Sequence, residues 1–223
     1  AGLNHFTWIL SMTHRKTGQD LYPMLREKLK HAPAGFDPLS CEMFDVFGLF
    51  PTGGGQHIGE YIGDAWRYVG TDGYDWGWYH NRTAQVRGDV EAIVRGDDSV
   101  AQKWIASPSI ERAQQVLTEL WAGDGHVEEA VNVVNHGAIA NLPDGAVVEV
   151  PAQIVRDRIL PMQVGPLPPG IAELCNRQVA IQELVVQAAV HGARNAALQA
   201  LALDPVVPDM ATARRVLDEL LRT

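Results

Sequence analysis

Residues 50–61 read Phe-Pro-Thr-Gly-Gly-Gly-Gln-His-Ile-Gly-Glu-Tyr and place three chemically capable side chains, His57, Glu60 and Tyr61, in a glycine-rich segment. Glycine resists regular structure but lets the backbone approach a ligand closely, so the segment is predicted to be a loop. No Gly-Lys-Ser/Thr follows, which excludes a phosphate loop of that type. An ordinary flexible loop is the alternative. Tyr61 can act as a general base only if a nearby cation lowers its phenol pKa from about 10 towards neutrality.

The pair Asn4-His5 stands where a loop runs into residues 5–12, which mix aromatic and β-branched residues and are predicted to form a strand. Such a position can aim a side chain at a ligand. Imidazole is a common metal ligand, and a carboxamide can hydrogen-bond a sugar hydroxyl or a carbonyl. Taken alone, each histidine of the chain is more simply structural.

A second polar segment, residues 135–145, lies between two β-rich stretches at 131–134 and 146–155. It contains Asn135-His136-Gly137 and a Pro-Asp-Gly turn signal. Asparagine at such positions usually caps a turn through its own side chain. The tryptophans Trp66, Trp76 and Trp78 form either a platform for stacking sugars or part of a core.

Helices are predicted over residues 20–30, 39–49 and 109–121, the last with Ser109 as a possible N-cap. After a proline-rich bend, the chain is predicted to be helical over 171–191, 193–203 and 210–221, with apolar faces that are core or subunit interface. The pattern predicts one α+β domain, residues 1–223, with a largely helical C-terminal half.

The 223 residues are 46% hydrophobic, enough for a sizeable core, and the longest apolar run is far shorter than the roughly 20 residues of a membrane span. A net charge of −9 with no basic cluster disfavours nucleic acid as a partner. The two cysteines, Cys41 and Cys175, match neither a disulfide framework nor a zinc motif, which favours a reducing compartment. We therefore expect a soluble, cytoplasmic protein without a membrane partner.

Several segments, in order along nearly the whole chain, resemble glycoside hydrolase family 4, the NAD-dependent, manganese-requiring glycosidases, and its α-galactosidase and α-glucosidase-like members. The matching segments are residues 1–5, 44–61, 132–143, 148–151, 164–168 and 200–205. The resemblance implies the catalytic and oligomerising C-terminal domain, similar in fold to that of lactate and malate dehydrogenases. It also implies a preceding Rossmann domain, and Ala1 would then be a cut point inside a longer protein. No GxGxxG motif follows a strand in these residues, so the chain alone is expected to be inactive.

The resemblance further implies a chemistry in which NAD⁺ oxidises sugar C3, a base removes the C2 proton, and the aglycone leaves from C1, outside the usual two-carboxylate pattern. In the family a Cys and a His hold manganese; the His corresponds to His5, and the Cys would lie upstream of Asn4. By the same correspondence Tyr61 is the C2 base, and Asn4, His57 and Asn135 contact the substrate, Asn135 as a sugar or cofactor contact. The dinucleotide-binding residues stay unassigned.

The resemblance thus predicts a hydrolase of α-galactosides or α-glucosides that uses NAD and Mn²⁺, takes a small-molecule glycoside and assembles as a homodimer or homotetramer. Two alternatives remain. A 2-hydroxyacid dehydrogenase of related fold would need a His–Asp pair and a carboxylate-binding arginine, for which Arg67, Arg82 and Arg87 are available. A non-catalytic relative would use its helical half only for assembly.

Overall fold

The computed structural model describes residues 2–69, 76–107 and 112–222, and its α+β class confirms the prediction. The chain divides into two compact units. Unit 1 comprises Ala1–Gly73, Ala130–Val150 and Met162–Thr223; unit 2 comprises Tyr74–Glu129 and Pro151–Pro161. Among the helices within the described ranges, none has the length and apolar character that crossing a bilayer requires.

Unit 1 begins with a small antiparallel sheet of order β1-β2-β3, formed by Gly2–Leu3, Phe6–Trp8 and Pro51–Thr52. Phe6 and Trp8 are buried and Thr7 between them is half-buried, as the two-residue period of a strand requires. The predicted strand over 5–12 is therefore too long. Only its first aromatic residues alternate into the core, and residues 9–12 lie outside the named strands.

Two helices follow, α1 at Tyr22–Leu29 and α2 at Pro38–Phe47, close to the predicted ones. The start of α2 is fixed by Asp37, whose carboxylate accepts hydrogen bonds from the Ser40 amide and hydroxyl, and by Pro38 in the first turn. It ends at Gly48, which has a left-handed φ of 75°. Two short helices, α3 at Gly54–Gly59 and α4 at Trp66–Val69, complete this part.

The C-terminal helices are α8 at Pro169–His191, α9 at Arg194–Leu203 and α10 at Met210–Leu220, within two residues of the predicted bounds. Gly192, with φ of 63°, ends α8 in the left-handed conformation, and the Asp209 carboxylate accepts from the Thr212 amide at 2.7 Å to begin α10. The prediction of a helical C-terminal half is confirmed.

The core of unit 1 brings its sheet, α2, α3 and α8 together with the loop after Asn135. Its buried members include Phe6, Trp8, Leu39, Met43, Ile58, Ala138, Ile139, Val148, Val150, Leu167, Ile171 and Cys175. Burying side chains of this size contributes about 1.5–3 kcal/mol each, so this core fixes the elements that carry the candidate site.

Unit 2 contains α5 at Trp76–Val94, α6 at Asp98–Ile105 and α7 at Ala113–Ala122. The sequence analysis did not predict α5 or α6. Helix α5 is mostly exposed and lacks the apolar stripe that marks an amphipathic helix. The side chains of Trp66 and Trp76 and the proposed cap Ser109 lie outside the described residues. Trp78 is described and is exposed.

The second sheet has the order β4-β5-β6, with strands Asp124–Val134, Val147–Val155 and Arg158–Pro161. The limits between the two units fall within β4 and β5. Val148, Val150, Ala152 and Ile154 are buried while their neighbours on β5 are not, so the strand predicted at 146–155 is confirmed.

An ion cluster in unit 2 was not foreseen from the sequence. The Glu128 side chain is only 4% exposed, and its carboxylate accepts two hydrogen bonds of 2.7 Å from the Arg112 guanidinium. His126 Nε2 lies 3.3 Å from the same carboxylate. The hydrogen bond from Arg112 is the main reason that the pKa of Glu128 is below its ordinary value. These contacts favour the charged form of the Glu128 carboxylate.

The contacts of Glu128 predict that the folded protein loses stability in acid. Because the pKa of Glu128 is lowered in the folded state, the unfolded state binds the proton first as pH falls below about 4.3. The free energy of unfolding should therefore fall as pH drops from neutral through that range. In Glu128→Gln it should be lower at pH 7 and depend less on pH, as measured by urea denaturation. Glu129→Gln, on the exposed neighbour, is the matched control, and equal acid slopes in wild type and Glu128→Gln would contradict the assignment.

Candidate functional site

The glycine-rich segment is folded, which corrects the prediction of a loop. Pro51–Thr52 is strand β3, and Gly54–Gly59 is helix α3, preceded by Gly53 with φ of 108°. Ile58, on α3, is completely buried in the core of unit 1. Burial of this side chain supplies the tertiary packing that outweighs the poor helix propensity of glycine. His57, Glu60 and Tyr61 are thereby held at a helix and its C-terminal end.

Asn4 and His5 form the turn between β1 and β2, whose last paired residues are Leu3 and Phe6. His5 has a left-handed φ of 58°, a conformation that costs a non-glycine residue about 1–2 kcal/mol. The completely buried Phe6 and the β1–β2 pairing hold the turn against that cost. Both Asn4 and His5 are exposed, so the turn presents a carboxamide and an imidazole to solvent.

Gly53 passes directly against the backbone of this turn. A Cβ built on Gly53 would lie 1.6 Å from the His5 carbonyl oxygen, a distance that no structure accommodates without moving one of the two backbones. The absence of a side chain at Gly53 therefore lets the start of α3 reach the Asn4–His5 turn. The sequence singled out these glycines for close approach to a ligand, whereas at Gly53 the close neighbour is the chain itself.

This approach brings His57 beside His5. The two ring centres are 4.5 Å apart, with ring planes inclined by 74°. His57 Nδ1 lies 3.1 Å from Glu60 Oε1, one helical turn further on. The side chains of His57 and Glu60 are 37% and 46% exposed, so the pair is open to a ligand. His5, His57 and Glu60 thus form one connected group.

Tyr61 follows directly and faces the same turn. Its hydroxyl donates a hydrogen bond of 3.1 Å to the Asn4 carbonyl oxygen, and its ring lies 6.0 Å from that of Phe6. Burial, and secondly the Glu60 carboxylate, raise the pKa of Tyr61 above its ordinary value. The phenol is therefore protonated at neutral pH in the absence of a nearby positive charge.

Asn135 lies elsewhere in unit 1 and has a different environment. It is completely buried; its side-chain NH₂ donates to the carbonyls of Ile139, Leu142 and Pro143, and its oxygen accepts from the Ile139 amide at 3.0 Å. The carboxamide is thus fully used in bracing the 135–145 loop, as the turn-capping interpretation expected. We do not retain Asn135 among the proposed sugar contacts.

The remaining candidates are not part of this group. The structure contains a His–Asp pair that the sequence did not reveal, with His136 Nδ1 3.2 Å from Asp144 Oδ1, but the side chains are 76% and 83% exposed. A pair this well solvated lacks the water-excluded environment in which such dyads act. Among the arginines weighed for a dehydrogenase, Arg67 lies 3.7 Å from Asp64, and Arg82 lies over the Trp104 ring.

A metal centre needs several donor side chains grouped around one point. Within the described residues, no three His, Cys, Asp or Glu side chains are arranged to hold a metal ion. What these residues offer is two adjacent imidazoles at His5 and His57. They fit part of a coordination shell, and further donors would have to come from water, substrate or residues outside the described ranges.

A small antiparallel sheet capped by helices, with a helical C-terminal half, defines an α+β domain of the kind found at the C-terminal end of lactate and malate dehydrogenases. The model of the family 4 glycosyl hydrolase C-terminal domain matches residues 1–207. The chain belongs to this family, as the resemblance predicted.

Individual relatives agree with this. The chain is 29% identical over 245 residues to an alpha-galacturonidase of Bacillus subtilis (strain 168), covering 99% of this chain and 53% of that protein. It is 30% identical over 219 residues to an alpha-galactosidase of the same strain, covering 92% of this chain and 48% of that protein. A solved 6-phospho-alpha-glucosidase from gut microorganisms, in complex with NAD and Mn²⁺, is 25% identical with a TM-score of 0.73 over 99% of this chain and 53% of that one. The chain thus spans about half the length of the relatives it matches.

The contact at Gly53 generates a prediction for stability. Gly53→Ala must both adopt a left-handed φ and displace the His5 carbonyl, so it should lower the free energy of unfolding by about 3 kcal/mol or more. Gly18→Ala is the matched control, because Gly18 has φ of 69° but nothing within 4 Å of an added Cβ. Gly18→Ala should lower the free energy of unfolding by only about 1–2 kcal/mol. Equal losses in urea denaturation would mean that the close approach is unimportant.

Proposed function

We propose that the protein containing this chain hydrolyses α-glycosides of the galactoside or glucoside class, with NAD and Mn²⁺ as cofactors. Membership of the family supports the glycosidase class. The observation that carries the assignment to this region is the convergence of His5, His57, Glu60 and Tyr61 at the Asn4–His5 turn. The dinucleotide-binding domain would be supplied outside these 223 residues.

When bound, NAD⁺ supplies an acceptor for the hydride of sugar C3, and a divalent cation supplies a Lewis acid for the C2 and C3 oxygens. The chain's own contribution begins with His5, the proposed metal ligand, whose ring is exposed at the turn. Asn4 has an exposed side chain, while its backbone carbonyl is fixed by the Tyr61 hydroxyl. Its carboxamide can therefore hydrogen-bond a sugar hydroxyl without disturbing the turn, and His57 lines the same site.

Tyr61 is the proposed base for the C2 proton. To accept that proton it must first lose its own, which burial and the Glu60 carboxylate both oppose. A positive charge bound at the neighbouring turn acts in the opposite direction and favours the phenolate. Tyr61 would then be a competent base only in the loaded site, which would protect the enzyme from unproductive deprotonation.

Assembly as a homodimer or homotetramer and a cytoplasmic location belong to the same proposal. Exposed apolar side chains on the C-terminal helices, among them Val186, Val190 and Met210, support the proposed subunit interface. The proposed substrate is a small glycoside.

The direct test is release of p-nitrophenol from its α-galactoside and α-glucoside by the intact protein. Turnover should require both NAD⁺ and Mn²⁺, and His5→Asn should abolish the response to Mn²⁺. Asparagine is chosen because it tolerates a left-handed φ and so preserves the turn. Turnover that is independent of both cofactors would refute the mechanism, and an unchanged Mn²⁺ response in His5→Asn would remove His5 from the metal site.

A second prediction concerns the base. Tyr61→Phe should lower kcat by about 10²–10⁴-fold with little change in KM, because it removes the proton acceptor while keeping the ring. Loss of the hydrogen bond to Asn4 should cost only about 1 kcal/mol of stability. Tyr68→Phe, in the same unit, is the control for the general effect of losing a phenol. A kcat within threefold of wild type would show that another group takes the C2 proton.

A further inference from the structure

The proposed function gives His57 no chemical part beyond lining the site, although its ring contacts both the Glu60 carboxylate and the imidazole of His5. We propose that His57, oriented by Glu60, is a second imidazole ligand that joins His5 in binding one divalent cation. This inference rests on the proposed function and makes it more specific, because His57 would line the sugar site through the metal.

The first argument is the His57–Glu60 pair. Glu60 Oε1 lies 3.1 Å from His57 Nδ1. In the neutral imidazole, Nδ1 then carries the proton that is donated to the carboxylate, and Nε2 keeps its lone pair. Metal-binding histidines typically donate their other ring nitrogen to a carboxylate, which fixes the ring and strengthens the ligand. Glu60 lies three residues after His57, and the C-terminal end of α3 sets its position.

The second argument is the distance between the rings. With a metal–nitrogen distance of about 2.1 Å, the centre of a coordinated imidazole lies about 3.3 Å from the cation. Two such imidazoles at an angle of about 90° at the metal have ring centres about 4.7 Å apart. The observed ring centres are 4.5 Å apart, so their spacing is compatible with two imidazoles that bind one cation.

The third argument is the rigidity of the backbone beneath the two rings. His5 is held in a left-handed turn, and Gly53, four residues before His57, lies against its carbonyl oxygen. Strained backbone conformations of this kind persist where the surrounding structure fixes them, and they concentrate at ligand sites. The completely buried Ile58, next to His57, anchors α3 in the core. Both imidazoles are thus positioned before a cation arrives.

The test measures Mn²⁺ binding, not turnover, in the intact protein after removal of metal with a chelator. Electron paramagnetic resonance of free Mn²⁺ gives the affinity, and electron spin echo modulation counts the bound imidazole nitrogens. His57→Phe keeps the aromatic contact with His5 but has no nitrogen. It should weaken Mn²⁺ binding at least tenfold and reduce the bound imidazoles from two to one.

Glu60 is tested as the positioning residue. Glu60→Ala should weaken Mn²⁺ binding by about 10–100-fold, and Glu60→Gln, which keeps an acceptor for His57 Nδ1, should recover part of that loss. His31→Phe and Glu27→Gln are the matched controls, because His31 Nε2 lies 3.5 Å from Glu27 Oε1 in another exposed pair of the same unit. Both controls should bind Mn²⁺ as wild type does.

The outcomes separate this inference from the proposed function. If His57→Phe binds Mn²⁺ with wild-type affinity and the same modulation while His5→Asn does not bind, the second ligand is refuted and the proposed function stands. If only His57→Ala weakens binding and His57→Phe does not, His57 acts by packing and the inference fails. If wild type binds no Mn²⁺, the metal requirement itself is wrong.

Discussion

The arrangement of the candidate site depends on the close approach of two backbones, those of Gly53 and His5. An added Cβ at Gly53 would lie 1.6 Å from the His5 carbonyl oxygen, so only glycine allows α3 to start where it does. From this contact follow the positions of His57 and Glu60 on the helix and of Tyr61 after it. Phe6 on one side and Ile58 on the other, both fully buried, anchor the two segments in one core.

The electrostatics of the site favour the protonated form of Tyr61. Burial and the Glu60 carboxylate raise the pKa of Tyr61, and its hydroxyl donates to a backbone carbonyl. The same carboxylate holds His57 in an orientation that leaves the other ring nitrogen available. Glu60 thus adds to the effect of burial in keeping the proposed base protonated and also orients the His57 imidazole, so one carboxylate contacts both proposed functional groups.

Membership of the family is the basis for proposing glycosidase chemistry at these contacts. The family match covers residues 1–207, while the chain spans about half of the relatives it resembles. The donor groups present here, two imidazoles without a third ligand among the described residues, are consistent with a site completed by other donors. The structure of unit 1 therefore provides one wall of the proposed active site.

Sequence alone determined the elements whose signals are local. The C-terminal helices were predicted to within two residues because glycine, proline and apolar spacing mark them, and β5 because its residues alternate. It also supplied the family and the proposed residues of the site. Only the tertiary structure decided that the glycine-rich segment is helical, since burial of Ile58 outweighs local propensity, and that Asn135 braces a loop. The His5–His57 contact joins segments 52 residues apart in numbering, and no local pattern encodes such a distance, because packing of the intervening chain sets it.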